Sequence, residues 1–273
     1  MISTAVLTGL ALASSLPPNL ETAVHASRAL TSAQRIDQLS GVLLGAQYAL
    51  DPLGEGVAPD TDPMVRYDAF DCLTYVEEVL ALSLSTTPTE ADAIRSAMRY
   101  GANPPAYTSR HHFMSLQWLP VNIAQGYLTD IGERFGTTTP LRKTVDDRIW
   151  NTWNGRSRFQ HTDEELPRGP MALNVLPLEK AIERAQDIPT GTLVLTVRED
   201  WWWRPIWVSH VGFVIQSPEG PRVRHATTLG DDGVREHSLT WYLEHIAQYK
   251  NPPVLGVALY EAHRRETTPK KAE

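Results

Sequence analysis

The chain has 273 residues, 42% of them apolar and 21% charged, and its 32 Asp and Glu outnumber 25 Lys and Arg for a net charge of −7. That composition belongs to a globular protein rather than a disordered one, and the acidic balance argues against nucleic acid or an anionic membrane as partner. The single cysteine, Cys72, excludes an internal disulfide and any multi-cysteine metal site, and no apolar stretch reaches the roughly 18 residues of a membrane span.

Residues 1–20 carry no charge, and Ala11-Leu12-Ala13 places a small-x-small pattern before Pro17-Pro18. Residues 1–29 are read either as a secretory signal, lacking the usual basic residue, or as a disordered tail. Thr31 and Gln34 form a capping box ahead of Ile36, Leu39 and Leu43, which predicts a helix over 32–48. A proline-bearing loop over 50–67 leads to Leu73, Tyr75, Val76, Val79 and Leu80, a second helix with Asp71 as its N-cap. Thr87-Pro88-Thr89-Glu90 opens a third, and residues 114–123 form a short fourth.

Residues 137–177 are polar and irregular, the pattern of a surface insertion that shapes a cleft. Beyond them, residues 191–197, 207–215, 222–227 and 254–260 are β-rich runs between turn residues, interrupted by a helix over 238–248. Helices first and strands later predict an α+β fold, with N-terminal helices packed on a C-terminal antiparallel β-sheet. The expected organisation is one domain over 30–263 and a charged tail over 264–273.

The strongest chemical signal is Phe70-Asp71-Cys72-Leu73-Thr74-Tyr75-Val76-Glu77, which sets the lone thiol in the first turn of a helix. Free backbone N–H groups and the helix dipole favour a thiolate there, the form that acts as a nucleophile. A base is supplied by His210 in Ser209-His210-Val211-Gly212, and fifteen residues on Arg224-His225-Ala226-Thr227 offers a second strand histidine to orient the first. Taken singly, each of these residues also fits a packing role. Trp201-Trp202-Trp203 and Trp207 could line a sugar or peptide groove or anchor a loop, whereas His161, His237, His245 and His263 read as surface or packing residues.

Those motifs, in that order, resemble the NlpC/P60 superfamily of papain-like cell-wall cysteine hydrolases. They are most similar to its DUF1460 branch, described as N-acetylmuramoyl-L-alanine amidase-like. Leu44-Gly45-Ala46-Gln47-Tyr48, Pro52-Leu53-Gly54-Glu55-Gly56 and Arg110-His111-His112-Phe113 fit the same branch, although Ala46-Gln47 stands where Thr-Pro is expected. The resemblance implies a papain-like fold and a secreted or periplasmic hydrolase that needs no cofactor and acts on peptidoglycan stem peptides or muropeptides. It makes Cys72 the nucleophile, His210 the base and His225 the orienting third member. Tyr48 and Asp71 receive substrate roles, and Arg110 and His111 are candidates for a substrate carboxylate.

The bond cleaved is left open between muramoyl–L-alanine and D-glutamyl–diamino acid. Two other classes stay in view: a metal-dependent amidase built on His111, His112, His210 and His225, and a cell-wall or partner-binding module with a dead site.

Overall fold

The computed structural model describes residues 16–264. In chain order the elements are α1 (Pro18–Ala26), α2 (Ser32–Val42), β1 (Gln47–Tyr48), β2 (Ala69–Phe70), α3 (Cys72–Leu84), α4 (Pro88–Tyr100), α5 (Leu119–Ala124), β3 (Leu128–Asp130), β4 (Thr139–Val145) and α6 (Asp147–Thr152). There follow β5 (Gly169–Pro177), α7 (Leu178–Glu183), β6 (Leu193–Arg198), β7 (Val208–Ile215), β8 (Arg222–Thr227), β9 (Gly233–Ser238), α8 (Leu239–Ile246) and β10 (Val254–Ala262).

An antiparallel sheet runs β4-β5-β10-β6-β7-β8-β9, and β3 pairs with the far end of β10. Period-two alternation sends Leu193, Leu195, Val197, Val211 and Phe213 to one face, where α1 to α4 cover them. Val194, Val214, Val223 and Val257 go to the other, under Leu239, Tyr242 and Leu243 of α8. The result is an α+β arrangement whose N-terminal helices pack on the later sheet and whose second face has its own helical cover.

The helix that starts at Cys72 is the centre of the first layer. Every residue from Tyr75 to Leu84 is buried, so α3 is enclosed on all sides rather than amphipathic. Its two glutamates must then be neutralised inside the protein. Glu78 takes two hydrogen bonds from Arg95, and Glu77 accepts from Arg99 Nε and from Trp118 Nε1 at 2.9 Å. The free carbonyls at the C-terminal end have no water to turn to. Buried Arg35 on α2 closes that end, donating to the carbonyls of Leu82 at 2.6 Å, Ser83 at 2.8 Å and Ser85 at 2.9 Å.

Several sequence expectations are corrected here. The helix predicted over 32–48 stops at Val42, because Gly45 has φ +88° and Gln47 and Tyr48 leave to pair in parallel with Ala69 and Phe70. Part of the segment read as a signal or tail is structural: α1 buries Leu20, Ala23 and Val24, while residues 1–15 lie outside the described residues. The charged tail beyond Arg264 also lies outside them.

The supposed surface insertion over 137–177 contains β4 and β5, paired in register from Thr139↔Val175 to Val145↔Gly169. Met171, Leu173 and Val175 point into the core, while Ala172 and Asn174 between them face outward. The intervening α6 contributes the buried Trp150, whose ring meets Phe113 edge-on at 4.9 Å.

Removing the cation that closes α3 is expected to be costly. Arg35→Met keeps length and apolar contact but orphans three buried carbonyls, and urea denaturation should show a loss of about 3 kcal/mol.

Candidate active site

Asp71 has extended backbone and caps α3. Its Oδ1 accepts from Thr74 N at 2.8 Å, and Thr74 Oγ1 accepts in return from Asp71 N at 3.0 Å. This reciprocal cap fixes where the helix begins and leaves Cys72 at its first position, half-buried. Backbone N–H groups of Val211, Cys72 and Leu73 are directed at the sulfur. Val211 directly follows His210, so β7 holds the thiol and the imidazole one residue apart along the strand.

The β7–β8 ladder ends at Phe213↔Arg224, and the strands part on the side where α3 arrives. Gly212, the next residue on β7, lies under the His225 side chain: an added Cβ would stand 2.8 Å from His225 Cβ and 2.9 Å from the Arg224 carbonyl. Because residues two apart on a strand share a face, the missing side chain lets His225 lean along β7 toward His210. His210 Nε2 and His225 Nδ1 are 2.8 Å apart. A β-bulge sets the facing of His210. Thr196 pairs with His210 but Val197 pairs with Val208, so Ser209 is extra, and Val208 and His210 point to opposite faces.

The histidine pair does not stop there. His225 is fully buried, and its Nε2 lies 2.9 Å from Nδ1 of His237 on β9. Tyr242 of α8 packs its ring on His225 at 5.3 Å, and its hydroxyl shares a 2.6 Å hydrogen bond with Thr196 Oγ1. The sequence reading missed His237. Its signal was the Asp232-Gly233 turn ahead of an alternating run, which adds a third strand beside His225 at hairpin spacing.

The family model described as AmiA-like, N-acetylmuramoyl-L-alanine amidase-like, matches residues 38–248, a span that holds Cys72, His210, His225 and His237. The chain belongs to the AmiA-like family. Among solved structures, it is similar to a Legionella pneumophila protein assigned to DUF1460, at 23% identity over 89% of this chain and 93% of the other, with a TM-score of 0.77. It is also similar to an N-acetylmuramoyl-L-alanine amidase from Bacteroides uniformis, at 16% identity over 85% of this chain and 99% of that one, with a TM-score of 0.69. No curated protein sequence matches it.

Two cavities adjoin the residues around Cys72 and His210 in this AmiA-like chain. One, of about 240 Å³, lies on the imidazole side and is lined by His210, Tyr48, Tyr242, Arg198, Ser209 and Tyr249, among others. The other, of about 750 Å³, lies on the helix side, where Asp71, Thr74, Asp51, Arg99, Arg110 and Arg158 are on its wall. Asp71 Oδ2 also accepts from Asp51 N at 3.3 Å, so both carboxylate oxygens have partners within the chain.

The two residues proposed from sequence as carboxylate ligands, Arg110 and His111, both line this larger cavity and are already bonded within the chain. Arg110 donates to both Glu55 oxygens, to Asp60 and to the Leu53 carbonyl, and so ties down the 50–60 loop. His111 is buried with Nδ1 on the Met98 carbonyl at 3.0 Å, while His112 Nε2 bonds the Tyr107 carbonyl at 2.8 Å. Neither joins His210 and His225, and no group of three His, Cys, Asp or Glu side chains able to hold a metal ion occurs among the described residues. In the tryptophan run, the rings of Trp201 and Trp203 pack at 5.4 Å, tilted by 42°, and Arg148 covers the half-exposed Trp202 at 4.5 Å, whereas Trp207 is a buried anchor.

Electrostatics reverse one expectation. Burial, with Asp71 beside it, pushes the Cys72 thiol up to about 12, although the three N–H groups around the sulfur pull the other way. Burial holds His210 down at about 4, and holds His225 well below the ordinary histidine value with neighbouring His210 and His237 adding to the effect. Burial therefore favours the uncharged form of both the Cys72 thiol and the His210 imidazole, against the thiolate that the helix start alone favours.

Two outcomes follow from this geometry. His210, His225, His237, His111, His112 and His161 are all held below their ordinary value by burial, so an unfolded chain binds more protons than the folded one between about pH 4 and 6.5. Stability should be fully present above that window and fall as pH drops through it, read as a steady decline in Tm. Gly212→Ala should leave the sheet folded yet displace His225, slowing iodoacetamide alkylation of Cys72 at pH 7 about tenfold.

Proposed function

We propose that this protein is a cysteine amidase of the NlpC/P60 type that hydrolyses the N-acetylmuramoyl–L-alanine bond of peptidoglycan or its fragments outside the cytoplasm. The observation that carries the reading is the His210 Nε2···His225 Nδ1 contact of 2.8 Å, next to a helix-start cysteine whose sulfur faces the Val211 N–H. Membership of the AmiA-like family supports the substrate class.

With Nε2 held by His225, Nδ1 is the His210 nitrogen that takes the Cys72 proton as sulfur attacks the amide carbon. The Cys72 N–H donates to the developing oxyanion, and Tyr48, whose hydroxyl titrates above its ordinary value through burial and the nearby thiol and Asp71, stays protonated to donate as well. The tetrahedral adduct collapses as His210 passes its proton to the departing amine. Water, deprotonated by the same nitrogen, then attacks the thioester carbon and releases a carboxylate and the free thiol. His225 keeps the ring oriented and supports its charge while the proton is held. The two cavities divide the substrate, one side for the acyl part and the other for the amine part.

Cleavage between D-glutamate and the diamino acid is a second reading, favoured by one observation: the Asp71 carboxylate on the wall of the larger cavity, where an ammonium could pair with it. Defined muropeptides and mass spectrometry separate the two. The muramoyl–L-alanine reading requires loss of the intact peptide from the sugar, and Cys72→Ala should lower the rate by more than about 10³-fold. Asp71→Asn retains the cap and should leave turnover of this bond within about threefold; a collapse confined to free-amine peptides would move the assignment to the endopeptidase bond.

A further inference from the structure

We infer that His237 is a positioning residue for the reaction proposed above, setting through His225 which nitrogen of His210 is free to receive the Cys72 proton. The inference rests on that proposed reaction and on the run of contacts His210 Nε2···His225 Nδ1 at 2.8 Å and His225 Nε2···His237 Nδ1 at 2.9 Å. Each link uses the Nε2 of the inner ring and the Nδ1 of the outer one, so the three rings form a chain with a direction. A neutral imidazole has one N–H and one lone pair, which leaves two self-consistent states. In the first, every Nε2 donates outward, and His210 Nδ1 carries a lone pair. In the second, His237 Nδ1 and His225 Nδ1 donate inward, His210 accepts at Nε2, and its proton sits on Nδ1. Only the first state has a base for the thiol.

His225 alone cannot choose between them. It is fully buried, and its two nitrogens bond only the neighbouring histidines, so the choice is made at the outer ring. His237 is placed for that task. Register sets it opposite Val223, one alternation from His225 on the same face of β8, and β9 is the edge of the sheet. Its ring is clamped by Trp241 of α8, stacked at 5.0 Å and 27°, and His245 stacks on the other face of that indole at 5.0 Å and 21°.

The charged and titratable groups that meet His237 are His225 and Arg222 from β8 and His245 from α8. Burial, followed by Arg222 and His245, holds it below the ordinary histidine value, so it is neutral at pH 7, the charge state in which Nδ1 can accept. A protonated His237 has no lone pair at Nδ1 and enforces the second state. The chain is therefore open to protons at its half-exposed end and closed at the catalytic end.

The lone cysteine makes the test direct, because alkylation of the full-length protein reads Cys72 and needs no substrate. His237→Leu removes the acceptor, and His237→Asn restores one, Oδ1, at the position of Nδ1 without a titrating ring. For the Leu variant we expect iodoacetamide alkylation at pH 7 to slow about tenfold and its pH profile to move to higher pH. On a muropeptide, kcat should fall by a similar factor with KM unchanged. The Asn variant should recover at least half of both rates and lose the acid-side inflection that His237 contributes.

Wild-type profiles and kcat in a folded Leu variant would overturn the inference, as would an Asn variant as slow as Leu. If the Leu variant does not fold, the Asn profile decides alone: retention of the wild-type inflection refutes the role. Failure of the proposed function is a separate result. Cys72→Ala with undiminished muropeptide cleavage would refute the cysteine mechanism, whatever the His237 variants do.

Discussion

The rest of the structure depends on the burial of one helix with both of its ends satisfied. A 13-residue helix enclosed in protein leaves N–H groups at one end and carbonyls at the other that water cannot reach. At the C-terminal end, Arg35 supplies the donors from α2. At the N-terminal end, the Asp71–Thr74 exchange takes some of the N–H groups, and the thiol occupies the space in front of the remainder. The unmet bonding capacity of a buried helix end thus becomes the polar lining of the site. Glu77 and Glu78 lock the same helix in rotation through Arg99 and Arg95, so the sulfur cannot swing away from β7 without breaking buried ion pairs.

On the sheet side the same economy holds. An omitted side chain at Gly212 and an extra residue at Ser209 let the strands place three histidines in one row, with Tyr242 and Trp241 of α8 packed against it. The low polarity that keeps Cys72 and His210 uncharged also strengthens every bond in that row.

Much of this was legible in the sequence where local chemistry dominates. The capping pattern at Asp71, the Thr87-Pro88 helix start and the apolar runs of β6, β7, β8 and β10 all follow from short-range rules, and the two motif histidines meet as their spacing implied. What stayed hidden depends on partners far along the chain. The thiol's burial, which no local pattern displays, outweighs the helix effect that sequence alone shows. Arg110 has the look of a ligand-binding cation until Glu55 and Asp60 fold back onto it. β4 and β5 escaped notice because polar residues cover their outer face, and His237 because an edge-strand histidine looks like any surface residue.

The Ser209 bulge has a consequence for how such a chain can vary over evolutionary time. It sits at the base of the loop that carries Trp201, Trp202 and Trp203, between that loop and the stretch of β7 that carries His210. Without it, gaining or losing a residue near the loop would shift the frame of β7 and turn His210 to the opposite side of the sheet. A bulge takes up such a shift locally, because one strand there already runs a residue ahead of its neighbour. The tryptophan loop can therefore drift in length and sequence, trying new surfaces, while the inherited orientation of the imidazole passes unchanged from one descendant to the next.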